Sequence, residues 1–231
     1  MAGSIFGKNF TITTWGESHG EGIGVVIDGC PSGLQLSEKD IQIFLDRRKP
    51  GQSKYTTPRK ESDSVKILSG VFEGKTTGTP ISLVVFNENQ RSKDYGNICE
   101  VYRPGHADYT FDSKYGFRDY RGGGRSSGRE TIGRVAAGAI ASKILSTMGI
   151  TVTAYATEIA GIKASEINLE ERDNNSFGIP DSNAAALIAE KADMFLKDHN
   201  SLGGIIECIV DGCPDGLGEP GFDKLDAKLA Q

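Results

Sequence analysis

An eight-residue pattern that occurs twice constrains the fold of this chain more than any other feature. Ile27-Asp-Gly-Cys-Pro-Ser-Gly-Leu34 recurs as Val210-Asp-Gly-Cys-Pro-Asp-Gly-Leu217. Each copy follows an apolar run typical of a strand and precedes a candidate helix. Coincidence is the alternative, because Asp-Gly and Pro-x-Gly are common turn chemistry. We expect two related strand–turn–helix units, and hence a pseudo-symmetric sandwich.

Hydrophobic periodicity and capping residues predict the other elements. Strands are predicted over residues 11–15, 23–27, 65–68, 80–86 and 150–162. Helices are predicted over residues 37–48 with Ser37 as N-cap, over 132–145 closed by Gly149, and within 180–200 after Asp181 or Ser182. The pattern of residues 222–231 stops inside a helix, which suggests a fragment of a longer protein.

The composition excludes several classes of protein. Residues 1–231 contain no apolar run long enough for a transmembrane span or a secretory signal. The four cysteines show no Cys-x-x-Cys spacing and the three histidines lie far apart. A disulfide framework or a zinc site is therefore poorly supported, and a reducing cytoplasm is the default location.

Five arginines lie within the glycine-rich residues 118–134, although the net charge of the chain is −5. We call this segment the arginine loop. Ser127 and Glu130 fit a capping box at the start of the following helix, where unpaired N–H groups favour an anion. Arginine adds bidentate hydrogen bonds to phosphate or carboxylate. We expect a site for a small, multiply charged anion. A solvated loop that caps a structural helix is the alternative.

Residues 47–60 form a second basic window, with six cations and no acid. Together the two windows hold 11 of the 26 lysines and arginines within 31 positions. A pocket for a polyanion is the favoured interpretation, although many basic runs are only solvated loops.

Two of the three histidines occupy turn-rich loops, where functional residues concentrate. His19 lies in Gly16-Glu-Ser-His-Gly20 and His106 in Arg103-Pro-Gly-His-Ala-Asp108. Both are candidates for general acid–base work, and a surface histidine is the alternative for each. His199 ends a predicted helix and is assigned a structural role.

Two other motif matches indicate different functions. The segment 16–20 fits the G-x-S-x-G elbow of α/β-hydrolases, with Ser18 as nucleophile, but a strand follows it where the elbow requires a helix. The segment 121–129 resembles an RNA-binding RGG stretch, but such stretches are usually disordered and this one runs into a helix. We favour neither interpretation.

The ordered motifs of the chain resemble the chorismate synthase family. They are Gly16-Glu-Ser-His-Gly20 with the following strand to Gly29, Asp46-Arg-Arg-Lys-Pro-Gly51, Arg103-Pro-Gly-His-Ala-Asp108, and Arg118-Asp-Tyr-Arg-Gly-Gly-Gly-Arg-Ser-Ser-Gly-Arg-Glu-Thr131. The resemblance implies an enzyme that converts 5-enolpyruvylshikimate 3-phosphate to chorismate by 1,4-anti elimination of phosphate. It also implies dependence on reduced FMN, although the reaction has no net redox change.

The same resemblance implies roles for individual residues. His19 would protonate the departing phosphate and His106 would protonate the reduced flavin. The flavin-contacting segment of the family matches Arg125, Ser126 and Ser127. The remaining implied anion contacts, to substrate or to the phosphate of a nicotinamide cofactor, are Arg48, Lys54, Arg129 and Arg134. Position 54 often holds arginine in the family, and lysine loses the bidentate fork there.

The family also implies a fold and an assembly. The expected fold class is α+β, a β-α-β layered sandwich with an internal pseudo-symmetric repeat, formed by one truncated domain over residues 1–231. The expected assembly is a cytoplasmic homotetramer that binds neither nucleic acid nor membrane, with NADPH as a candidate reductant of the flavin. Because family members extend further, we expect this segment alone to bind FMN weakly or not at all. A folded but inactive fragment is the alternative.

Overall fold

The structure is a computed structural model that describes residues 3–57, 61–88, 99–121 and 123–230. Contacts divide the chain into two compact units, Met1–Lys143 and Ile144–Gln231. Each unit has its own antiparallel sheet. Within the described ranges no helix is both long and apolar enough to cross a membrane. The predicted single domain over residues 1–231 stays a prediction.

The first unit is organised around a five-stranded sheet in the order β1-β2-β3-β7-β4. Its strands are β1 (Ile5–Phe6), β2 (Thr11–Gly16), β3 (Gly22–Asp28), β4 (Val65–Ile67), β5 (Val71–Phe72), β6 (Lys75–Thr76) and β7 (Ile81–Phe86), of which β5 and β6 form a separate ribbon. Its helices are α1 (Glu38–Arg48), α2 (Asp108–Tyr115) and α3 (Thr131–Thr147), and α3 continues past the boundary at Lys143.

Helix α3 packs closely on the sheet of the first unit. A Cβ atom added to Gly133 would lie 2.9 Å from Cγ2 of Thr14 on β2, so the helix axis can approach the strand only with glycine at this position. Lys143 near the end of α3 pairs with Asp40 on α1, with Nζ to Oδ1 at 2.6 Å. The fully buried Ile132 and Ile140 of α3 lie on its core side. The start of α3, and the arginine loop before it, are therefore fixed against β2.

The second unit pairs a three-stranded sheet with one long helix. The sheet runs in the order β10-β8-β9, from β8 (Thr151–Ile159), β9 (Ile162–Lys163) and β10 (Gly204–Asp211). Its helices are α4 (Leu169–Asp173), α5 (Ser182–Lys197) and α6 (Leu225–Ala230). Burial of Ile179 and Ile188 with Ala156 of β8 forms the core between α5 and the sheet.

The duplicated sequence pattern begins with a matching glycine turn in both units. Gly29 after β3 and Gly212 after β10 have φ angles of 83° and 75°. Gly29 follows Asp28, which pairs with the first residue of β2. Gly212 follows Asp211, which pairs with the first residue of β8. A Cβ atom would lie 1.8 Å from the Asn9 carbonyl oxygen in the first copy and 2.2 Å from that of Gly149 in the second. The predicted repeat is therefore present in the local geometry.

Most predicted elements are present within one or two residues of their expected ends. Ser37 caps α1, and its N–H donates to Oδ2 of Asp40 at 2.8 Å. Asp181 caps α5 by accepting the N–H of Ala184 at 3.0 Å. Gly149, at φ 77°, follows the end of α3 as expected. The strand predicted over 150–162 is shorter, since β8 ends at Ile159 and a turn leads into β9. Helix α2 was not predicted.

Candidate functional site

A cavity of about 890 Å³ lies in the first unit between the arginine loop and the start of α2. We call it the loop cavity. Its lining includes four predicted site residues, which are His106, Arg125, Ser126 and Ser127. Three aromatic side chains and three carboxylates also line it, namely Phe111, Tyr115, Phe117, Glu17, Asp108 and Asp119. The volume is within the range of small-molecule and cofactor sites.

The arginine loop reaches α3 through two short 3-10 turns, Gly124–Ser126 and Gly128–Glu130. Ser127 caps the second turn by accepting the N–H of Arg129 at 3.3 Å. The contacts differ from the predicted capping box, because the Glu130 N–H donates to the Ser127 carbonyl at 3.0 Å and the Glu130 carboxylate accepts the hydroxyl of Thr14 at 2.9 Å. Since Thr14 belongs to β2, this hydrogen bond ties the loop to the sheet.

The Arg125 guanidinium is anchored on β2 at the edge of the loop cavity. Its Nη2 donates to Oγ1 of Thr14 at 2.7 Å and its Nη1 to the carbonyl of Gly16 at 3.2 Å. Glu130 lies 3.5 Å from the same Nη2. The side chain is about a quarter exposed, so its charge is oriented by the protein and still reaches solvent.

A salt-bridged loop carries His106 into the cavity. Arg103 forms a bidentate pair with Asp108, with Nε to Oδ2 and Nη2 to Oδ1 both at 2.9 Å. That hydrogen bonding from Arg103 holds the pKa of the Asp108 carboxyl far below its usual range, against the opposing effect of burial. His106 is exposed, and its Nδ1 lies 3.1 Å from the carbonyl oxygen of Pro104. Because a carbonyl only accepts, Nδ1 carries a proton and Nε2 is the atom left for proton transfer.

His19 has a different environment, because it is buried within the turn of residues 17–21. It is 7% exposed, and its Nδ1 lies 3.0 Å from Oγ of Ser18, which is fully buried. Among the residues that the structure describes, the cavity lining includes its neighbour Glu17 but not His19 itself. The pKa of the Asp119 carboxyl, which lines the cavity, is lowered mainly by hydrogen bonding from Arg121 and to a smaller extent by His19. Glu17 thus links the buried imidazole along the chain to the loop cavity.

The buried Ser18 hydroxyl also bears on the hydrolase alternative. A serine nucleophile must meet its substrate, and its base must take the hydroxyl proton from a separate position. Here the hydroxyl has no exposed surface and contacts the ring of the adjacent residue. The geometry gives this alternative no support.

Two predicted anion contacts share one buried carboxylate. Asp63, whose side chain has no exposed surface, accepts Nη1 of Arg129 at 2.9 Å and Nη1 of Arg48 at 3.1 Å. Arg129 is 6% exposed at its side chain, and Asn87 Oδ1 accepts its Nη2 at 3.0 Å. The structure thus brings Arg48 and Arg129 together on one carboxylate.

The other two predicted anion contacts are at the surface. Lys54 is exposed, and its ammonium lies 5.0 Å from the centre of the Tyr55 ring. Arg134 is 62% exposed at its side chain and pairs with Glu130, with Nη2 to Oε2 at 2.9 Å. Arg134 is therefore coupled to Arg125 through a shared carboxylate, whereas Lys54 lies in the turn that follows α1.

Sequence reasoning missed the residues that support these side chains. Asp63, Asn87 and Asp119 lie outside the predicted set but contact or face its members. Asp119 could have been found from the sequence, because it lies inside the arginine loop beside Arg118. Asn87 follows a predicted strand with no motif around it, so its role depends on contacts that only folding creates.

Comparison with known proteins gives consistent results. A family model described as chorismate synthase matches residues 10–231. The chain is 67% identical to a chorismate synthase of Lachnospira eligens and 64% identical to one of Agathobacter rectalis, over its whole length and 64% of theirs. A crystal structure of chorismate synthase superposes with a TM-score of 0.73 at 30% identity, covering 92% of this chain and 60% of that one. The predicted fold class is thereby confirmed.

Proposed function

The chain belongs to the chorismate synthase family, and on that premise we propose that it forms the histidine- and arginine-bearing part of a lyase. The proposed reaction converts 5-enolpyruvylshikimate 3-phosphate to chorismate by 1,4-anti elimination of phosphate. The observation that carries the proposal is the loop cavity, which joins His106 to Arg125, Ser126 and Ser127 and is also lined by Glu17, two residues before the buried His19.

The loop cavity fits the flavin that the family uses. Phe111, Tyr115 and Phe117 offer aromatic surface for a planar ring. Arg125, Ser126 and Ser127 offer a guanidinium and two hydroxyls for a phosphate or for polar ring atoms. Reduced FMN supplies an electron-rich ring to a reaction with no net redox change. These residues would hold it in the cavity.

His106 lines the loop cavity and is exposed, so its ring can give or take a proton there. The Pro104 carbonyl fixes the proton on Nδ1, so Nε2 exchanges protons with the cavity. Arg103 and Asp108 brace the loop on both sides of the imidazole. We assign His106 the protonation of the bound flavin.

His19 would act on the leaving group from a largely buried position. A donated hydrogen bond from the Ser18 hydroxyl to Nδ1 would leave the transferable proton on Nε2. We assign His19 the protonation of the departing phosphate.

The four other predicted cations match the charge of the substrate, which carries one phosphate and two carboxylates. Arg48 and Arg129 bring two guanidinium groups to the buried Asp63. Arg134 and Lys54 supply further exposed positive charge. We assign these four residues to binding of the substrate, or of the phosphate of a nicotinamide reductant. The homotetramer, the cytoplasmic location and the NADPH-dependent reduction of the flavin belong to the same proposal.

The test is chorismate formation from 5-enolpyruvylshikimate 3-phosphate, under anaerobic conditions with chemically reduced FMN. It compares the 231-residue chain with a fusion of this chain to the part of the Lachnospira eligens relative that the chain does not match. The proposal expects turnover by the fusion and little by the chain alone. A folded, flavin-binding fusion that forms no chorismate would refute it. Ser18→Ala should leave the fusion partly active, because the hydroxyl only supports the His19 ring, whereas a serine hydrolase would lose all activity in that variant.

A further inference from the structure

Asn87 holds the turn that carries His19. Its side-chain Nδ2 donates to the carbonyls of Glu17 and Gly20, each at 2.9 Å, and its backbone N–H donates to the carbonyl of Glu21 at 3.0 Å. One residue thus binds three carbonyl groups of residues 17–21. Two of them flank the Ser18-His19 pair, so the turn cannot shift without breaking these hydrogen bonds.

The other end of the same amide is held by a buried cation. Oδ1 of Asn87 accepts Nε of Arg129 at 3.2 Å and Nη2 at 3.0 Å. Because guanidinium only donates and carbonyl only accepts, the amide has one possible orientation between them. Arg129 is in turn fixed by the buried carboxylate of Asp63 at 2.9 Å.

Strand pairing explains how Asn87 reaches this position. It follows the last residue of β7, where Phe86 pairs with Gly22 of β3. The next antiparallel pair places Asn87 beside Glu21, directly under the turn. Pairing in the sheet therefore positions the Asn87 amide next to the turn, and the Arg129–Asp63 pair fixes the orientation of that amide.

We propose that Asn87 is a positioning residue for His19. It holds residues 17–21 in the form that keeps the imidazole buried against the Ser18 hydroxyl, and it couples the position of His19 to that of Arg129. This role rests on the proposed function, in which His19 gives up a proton. A hydrogen-bonded support of this kind fixes the orientation of a proton donor without touching the substrate.

The experiment uses Asn87→Asp and Asn87→Ser. The aspartate keeps an acceptor for Arg129 and loses both donors to the turn, whereas serine keeps at most one donor. Asn175→Ser is the matched control, because Nδ2 of Asn175 likewise donates to two carbonyls, those of Glu171 and Ile179, in the second unit.

The readouts follow His19 directly and need no enzymatic activity. The chain has only three histidines, so ¹H–¹⁵N spectra resolve each ring, and carbethoxylation rates report the accessibility of each. Loss of two hydrogen bonds predicts that His19 reacts about tenfold faster in Asn87→Asp. Its ring signals should shift, while those of His106 and His199 stay in place. Asn175→Ser should leave all three rings unchanged.

The outcomes separate this inference from the proposed function. Unchanged His19 signals and rates in folded Asn87 variants would overturn the inference, even with an active wild-type fusion. Loss of folding in both Asn87 variants, with Asn175→Ser folded, would also overturn it in favour of a purely structural role. A disturbed His19 in the variants, with no chorismate from the wild-type fusion, would support the inference and refute the proposed function. If both hold, kcat falls in Asn87→Asp with little change in KM.

Discussion

Replacing Asp63 by asparagine should strongly destabilise the first unit. Asp63 is the only acid that the described contacts place between Arg48 and Arg129, and its side chain is fully buried. Its backbone has φ 47°, which asparagine tolerates as well as aspartate. The substitution therefore removes the charge and leaves size and backbone strain unchanged.

The magnitude follows from the exposure of the two arginines. Removing one partner of a buried pair costs about 3–5 kcal/mol, because a buried charge is left uncompensated. Arg129, at 6% exposed, is within that range, whereas Arg48, at 17%, is partly solvated and adds about 1 kcal/mol or less. We expect Asp63→Asn to lower the free energy of unfolding by about 4 kcal/mol.

Urea unfolding followed by tryptophan fluorescence measures this loss in the right unit. Trp15 is the single tryptophan and lies on β2 of the first unit. With a slope of about 2 kcal/mol per molar urea, the midpoint should fall by roughly 2 M. Asp46→Asn is the control, since its pair with Lys49, the residue after α1, is largely solvated and should change stability by under about 1 kcal/mol. A loss in Asp63→Asn no larger than in this control would refute the reasoning.

Three further predictions concern separate parts of the chain. Gly29→Ala should destabilise the first unit by roughly 3 kcal/mol, because the added Cβ would lie 1.8 Å from a carbonyl oxygen. Gly33 has a similar φ but open space around it, so Gly33→Ala should cost only about 1–2 kcal/mol in the same urea titration. The Ala184 N–H and the Ser165 hydroxyl hold the pKa of Asp181 below its ordinary value of about 3.9. The stability that ionised Asp181 contributes is therefore complete above about pH 5 and is lost as the pH falls through its pKa in the folded state. Asp181→Asn should make the melting temperature, measured by circular dichroism, depend less on pH in the acid range. Arg125→Lys should weaken FMN binding to the fusion about tenfold in a fluorescence titration, since lysine cannot reproduce the anchored fork; unchanged affinity would count against the flavin assignment.

Local chemistry explains which elements could be predicted. Ser37, Asp181 and Gly149 mark helix ends through hydrogen bonds or backbone angles that belong to a few neighbouring residues, and the structure shows helix ends at all three. Helix α2 has such a mark only at its end, where Gly116 has φ 83°. At its start Ala107 offers no capping side chain, and residues 108–115 show little apolar periodicity.

The candidate site divides in the same way. Residues inside motifs, such as His106 and Arg125, could be found from the sequence, and the structure brings them to one cavity. Asn87 and Asp63 could not, because their partners lie 42 to 70 residues away for Asn87 and 66 residues away for the Asp63–Arg129 pair. Their identities follow from the pairing of β7 with β3 and from the packing of α3, which no local pattern encodes.

The most direct test of the account is the effect of the two histidines on phosphate elimination by the fusion. Chorismate and inorganic phosphate should form in equal amounts with reduced FMN, and His19→Ala and His106→Ala should each lower kcat by roughly 10²–10⁴-fold, the range for loss of a general acid. Both variants should bind FMN and remain folded. Turnover within a few-fold of wild type in either variant would contradict the role assigned to that histidine, and in both it would contradict the account.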